Sequence, residues 1–194
     1  MSLIYATILI LGLMFVFKDE ISTILDYIPA INKTATSNIV IKNKEILLYP
    51  SYGNRYGSVT INDNSEALFY GDSAYVLSNG IGSSTYNNLP GFGKTIISGH
   101  NTGLFRELFN STNTDVIINT SYGKFKYKIE NSKIVDKKDL NSLNEDYDLI
   151  MYTCYPKTNL YGDKRLIVYA SLIESEWFEQ WKNYLDIFYL SHLW

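Results

Sequence analysis

From residue 46 onward the hydrophobic positions fall in short runs separated by Gly, Asn and Asp, the pattern of brief strands joined by turns. ILLYP (residues 46–50), SVTI (58–61) and ALFY (67–70) come first. SNGIGSSTYNNLPGFG (78–93) then reads as a long loop. TIISG (95–99) predicts a strand running into His100, LFRELF (104–109) offers one or two helical turns, and DVIIN (115–119) predicts another strand. The clearest alternation follows. Phe125, Tyr127 and Ile129 point one way and Lys124, Lys126 and Lys128 the other, which predicts a half-buried strand with a lysine row on its wet side. Such a row discourages edge pairing; gripping an acidic membrane or cell-wall polymer is the alternative reading. YDLIMYT (147–153) and RLIVYASLI (165–173) complete a set of strands with almost no helix between them. The domain they predict is all-β, closed or sandwiched.

The two ends follow other patterns. Residues 3–17, LIYATILILGLMFVF, carry no charge, and Lys18-Asp19-Glu20 ends the run. A bilayer crossing takes ~20 apolar residues, with ~17 as a lower bound, so the run is short. A cleaved signal peptide has a basic start and a small-residue cleavage site, and neither is evident here. The run therefore reads as an uncleaved anchor (1–17), with a removed signal or a buried helix as the alternatives. No Lys or Arg precedes it to set its orientation. Ile21, Ile24, Leu25 and Ile28 recur at helical spacing before Pro29, and residues 30–45 are rich in Asn, Thr and Ser, so 18–45 reads as a juxtamembrane helix and linker. The folded domain is expected over 46–173. Beyond it, Trp177, Trp181, Tyr184 and Phe188 lie at i, i+4, i+7 and i+11, which predicts an amphipathic helix over 174–194 with Glu174, Glu176 and Glu179 in its first turns. That helix would pack on the β domain or lie on the bilayer.

Composition narrows the functional classes. Of 194 residues 46% are hydrophobic, enough for a sizeable core. With 17 Lys+Arg against 20 Asp+Glu the net charge is −3, which argues against a nucleic-acid partner. A single cysteine, Cys154, excludes an internal disulfide or a thiolate-rich zinc site. His100 and His192 are the only histidines, so a multi-histidine metal site is not expected either, and no cofactor is called for.

Cys154 ends a strand, in LIMYTCYP, and a lone cysteine is more often a small buried hydrophobe than a nucleophile. Three features reverse that reading. His100 also follows a strand, and a nearby imidazolium lowers a thiol pKa and supplies a proton to a leaving group. Arg165 opens the strand after the Cys154 loop, and a guanidinium can hold a peptide carbonyl or the oxyanion that grows on it. An extracytoplasmic protein that keeps a free thiol also has a use for it.

These segments resemble the sortase family from about residue 46 to 173. IISGHNTGLFRELF is similar to the family's histidine segment, a strand, Gly-His, then an aromatic and a leucine. Ile150-Met151-Tyr152-Thr153-Cys154 matches the TLxTC motif at its Thr-Cys end, with Pro156 two places on. RLIVYA resembles the arginine strand, and LPGFGKT the segment before the histidine strand. Ile150 and Met151 replace Thr-Leu, and Asn101 stands where many members carry Arg.

The resemblance implies an eight-stranded β-barrel with short helices, on a single-pass membrane protein of a Gram-positive cell whose catalytic domain is extracellular. It implies a cysteine transpeptidase acting on an LPxTG-like sorting signal and a cell-wall amine. Cys154, His100 and Arg165 would be catalytic, and Thr153, Tyr86, Leu89 and Tyr161 would line the substrate groove. The short 137–146 connection leaves no room for the class B insertion, and the class C lid and second span are missing. That leaves class D or class A, and the compact size favours D. In class A, acidic loop residues bind calcium; Glu145, Asp146 and Asp148 read instead as solvated carboxylates. Two other readings compete: a cysteine protease of another clan, although Q-A-C-x-G is absent and papain-like enzymes place Cys before His, or a non-enzymatic membrane-tethered β module with an inert Cys154.

Overall fold

The computed structural model describes residues 41–42, 45–46, 50–111, 113–157 and 162–178. Two short strands, β1 (Ile41–Lys42) and β2 (Glu45–Ile46), pair with each other inside the stretch read as linker. Eight more build the domain: β3 (Arg55–Ile61), β4 (Asn64–Tyr70), β5 (Ile81–Ser83), β6 (Thr95–Ser98), β7 (Asp115–Thr120), β8 (Gly123–Asp136), β9 (Leu149–Tyr155) and β10 (Lys164–Trp177). They close into a barrel in the order β10-β8-β7-β3-β4-β5-β6-β9. Neighbours are antiparallel except β4 with β5 and β6 with β9. The turn of helix α1 (Ala74–Leu77), capped by the Ser73 hydroxyl, makes the crossover between β4 and β5.

The barrel has eight strands as expected, but one of them differs. Of the run 46–50, Ile46 ends β2, outside the barrel, and residues 47–49 lie outside the described residues; the eighth barrel strand is β5, within the stretch read as loop. β5 is a three-residue strand containing Gly82, where an added Cβ would collide with the Gly71 carbonyl. LFRELF forms a 3-10 helix, η1 (Leu104–Asn110).

Strands β9 and β10 are buried on both faces, as their near-continuous apolar runs require. Leu149, Met151, Leu166, Val168 and Ala170 join the barrel interior. Ile150, Tyr152, Ile167 and Tyr169 form a second apolar cluster on the outside, with Leu143 and Tyr147 from the 137–148 connection laid over it. That connection is pinned there. The Tyr169 hydroxyl donates to the Ser142 carbonyl at 2.9 Å, the Tyr147 ring lies 4.9 Å from the Tyr169 ring, and Lys133 bridges to Glu145 at 3.0 Å.

The C-terminal reading is corrected at its start. β10 continues as a strand through Trp177, so Glu174 and Glu176 are not in a first helical turn. They lie opposite Lys126 and Lys124 of β8, an arrangement of opposite charges across a strand pair. Lys126 and Lys128 also pair with Asp115, so the lysine row is an ion-paired outer face. Trp177 closes the end of the barrel within 5.0–5.8 Å of the Phe92, Tyr122 and Phe125 rings. Residues 179–194, and the anchor and juxtamembrane helix expected in 1–40, lie outside the described residues. Among the described residues no helix is long and apolar enough to cross a membrane.

Phe125, fully buried at the centre of this ring cluster, tests its contribution. Phe125→Ala is expected to lower the unfolding free energy in urea by about 3–5 kcal/mol; a loss below about 1 kcal/mol contradicts the packing described.

Candidate active site

Three adjacent strands, β6, β9 and β10, bring the candidate residues to one rim. Cys154 and Arg165 are direct partners across the antiparallel β9–β10 pair, so their side chains leave the same face. Alternation identifies that face. Cys154 follows Ile150 and Tyr152, and Arg165 precedes Ile167 and Tyr169, all four on the outside of the barrel. On the other side of β9, β6 runs parallel with Ser98 level with Tyr152, and the ladder extends one step through the Gly99 N–H to the Tyr152 carbonyl. His100 is the next residue after Gly99, two residues past the end of β6.

Side-chain bonds hold these segments together. The Thr153 hydroxyl donates to the Gly99 carbonyl at 2.8 Å, and the Asn101 amide donates to the Pro156 carbonyl at 3.0 Å. Beyond His100, the Glu66 carboxylate of β4 accepts the Leu104 N–H at 2.8 Å, which fixes the start of η1. Burial pushes the Glu66 carboxyl up, partly offset by that bond. Gly103 permits the approach, because a Cβ there would stand 2.9 Å from Glu66 Oε2.

Arg165 is oriented by its own loop. Nη1 donates to the Gly162 carbonyl at 2.7 Å and to the Lys164 carbonyl at 2.9 Å. Gly162 is demanded by space, since a Cβ would run into the Tyr155 carbonyl oxygen. The half-buried Cys154 thiol feels two opposed effects: burial pushes its pKa up and the Arg165 charge pulls it back, with burial the larger. At neutral pH most of the sulfur is thiol and the reactive thiolate is a minority. A cleft of about 610 Å³ is bordered by Phe109, Asn110, Asn131, Ser132, Tyr155 and Lys157, and Cys154, His100 and Arg165 are not among its lining residues.

The expected groove residues fare differently. Thr153 is 2% exposed and spends its hydroxyl on Gly99, so it braces the site and presents no surface to a ligand. Leu89 is 2% exposed within the barrel core, which corrects its reading as a groove residue. Tyr86 stands in solvent at 93% exposure, and Tyr161 lies outside the described residues. Among the described residues no three His, Cys, Asp or Glu side chains gather as a metal site. Of the acidic loop residues, Glu145 bridges Lys133 and Asp148 accepts the Leu172 N–H at 2.8 Å. Asn101 stands out in the sequence only as a departure from the family's Arg, and Glu66 and Gly162 carry no motif role; the atoms these residues meet are backbone atoms, which leave no pattern of residue types.

Two outcomes follow from the electrostatics and the loop packing. Alkylation of Cys154 by iodoacetamide should accelerate with pH to a midpoint above that of an ordinary thiol, and Arg165→Met should move the midpoint higher; a midpoint lowered or unmoved by that substitution contradicts the coupling. Gly162→Ala should displace the Arg165 loop and produce the same upward movement, whereas an unchanged alkylation profile would contradict the steric account.

Sortase D of Bacillus subtilis is 35% identical over 86 residues, 42% of this chain, and the chain covers 43% of that relative's length. Among solved structures, the SrtF sortase of Corynebacterium diphtheriae superposes with a TM-score of 0.62 at 18% identity, over 71% of this chain and 94% of that one. Sortase E of Streptomyces avermitilis gives 0.56 at 20% identity, over 67% and 95%. Sortase A of Listeria monocytogenes gives 0.57 at 17%, over 66% and 94%. These likenesses share the barrel with the present fold. The Sortase domain family matches residues 59–173, more than half of the chain and the stretch that carries His100, Cys154 and Arg165, and the chain belongs to the sortase family.

Proposed function

We propose that the protein is a cysteine transpeptidase of the class D type, tethered to the cell membrane by residues 1–17, with its barrel outside the cell. The observation that supports this reading is the pairing of Arg165 with Cys154 across β9 and β10, together with the Thr153–Gly99 bond that ties the segment before His100 to β9. The match to a sortase D supports the class.

The Cys154 thiolate attacks the Thr carbonyl carbon of an LPxTG-like sorting signal. The C–S bond forms, the Thr–Gly C–N bond breaks, and protonated His100 gives its proton to the departing amine. Arg165 donates hydrogen bonds to the oxyanion of the tetrahedral intermediate. An amine of a cell-wall precursor then attacks the thioester. The new C–N bond forms as the C–S bond breaks, and neutral His100 takes the proton from the amine. Half-buried Tyr152, two residues before Cys154 on the same face of β9, is a contact for the signal's apolar side chains. Exposed Tyr86 is a further contact of the bound signal.

Mass spectrometry of full-length enzyme with an LPxTG-like peptide and a glycine- or diaminopimelate-type amine tests this. Amide product is expected from the wild type, none from Cys154→Ala, and roughly 10²-fold less from Arg165→Met. The pH–rate profile should be bell-shaped, because the active form needs thiolate and imidazolium together. A flat profile between about pH 6 and 9 contradicts the pair. Cleavage without amide formation selects the protease reading, and no turnover with an unreactive Cys154 selects the inert module.

A further inference from the structure

His100 is bracketed by two bonds that reach the nucleophile's segment from its immediate neighbours. Before it, the Gly99 carbonyl accepts from Thr153, one residue before Cys154. After it, Asn101 donates to the carbonyl of Pro156, two residues past Cys154. The first bond continues a strand pairing that already exists between β6 and β9. The second does not: it joins two loops beyond the ends of their strands, where no ladder fixes the separation. Asn101 is only 1% exposed, so its amide works away from competing water.

The chemistry of the residue matters. An amide nitrogen is a donor, and the Pro156 carbonyl is an acceptor. Asp at 101 would keep the shape and lose the donor. A further anchor of this turn, Glu66 on the Leu104 N–H, holds its far end to the barrel.

We infer that Asn101 is a positioning residue of the reaction: its side chain latches the His100 turn onto the Cys154 loop and so sets the distance between proton donor and nucleophile. This rests on the transpeptidase reading for its kinetic consequence. A misplacement of about 1 Å between reacting groups costs on the order of 10²-fold in rate, so the latch acts on turnover and leaves peptide affinity alone.

The test compares full-length wild type, Asn101→Ala and Asn101→Asp in detergent. Both variants should lose about 10–100-fold in kcat with KM within about twofold, while Cys154 alkylation at a fixed pH stays within about twofold. His100 and His192 are the only histidines, so an imidazole NMR spectrum has two sets of signals to assign. Cys154→Ala should shift the His100 signals in the wild-type background and shift them much less in the Asn101→Ala background. Unchanged kcat, a loss confined to KM, or an undiminished NMR response would each overturn the latch. If Asn101→Ala melts too low to assay, the isosteric Asn101→Asp carries the same readouts. Absence of wild-type transpeptidation would defeat the functional reading alone, because the NMR comparison needs no turnover.

Discussion

The site depends on strand register. β9 is held between a parallel neighbour, β6, and an antiparallel neighbour, β10, and a slip of one residue in either pairing would turn every side chain of the slipped strand to the opposite face. Burial on both faces prevents that slip. A one-residue shift of β10 would exchange Leu166, Val168 and Ala170 for Ile167 and Tyr169, forcing the large Tyr169 ring into the barrel and breaking its bond to Ser142. The packing that stabilises the barrel is thus the same packing that sets Arg165 opposite Cys154.

Burial and reactivity pull against each other at the sulfur. The low-dielectric surroundings that order the rim disfavour the thiolate, and the guanidinium across the strand pair restores part of the loss. The fixed elements are the braces: Thr153, Asn101 and Glu66 tie side chains to backbone atoms around His100, and Gly162 lets the Arg165 loop close on Tyr155.

Much of this was legible in the sequence because strands with a buried face alternate and strands with two buried faces run apolar. The lysine row of β8 and the LIMY and LIVYA runs of β9 and β10 show both signatures, and Cys154, His100 and Arg165 each sit at the end of one such strand. β5 shows neither, since Ile81–Ser83 is held by neighbours on both sides and carries too few residues for a period. Trp177 illustrates the opposite failure. Its spacing to Trp181 and Tyr184 fits a helix, yet pairing with Gly123, stacking on Tyr122 and an edge-to-face contact with Phe125 keep it in a strand. Leu89 and Thr153 lie in motifs that resemble the family's site, but each side chain turns into the core, which chain position alone does not reveal.

The central claim is that Cys154 is the residue that takes up the acyl group. Intact-mass measurement of the full chain, quenched in acid seconds after mixing with an LPxTG-like peptide and no amine, tests it most directly. The account predicts one adduct equal in mass to the peptide's fragment ending in Thr, mapped to Cys154 and released by hydroxylamine. A chain that cleaves the peptide without carrying that adduct, or carries it on another residue, would contradict it.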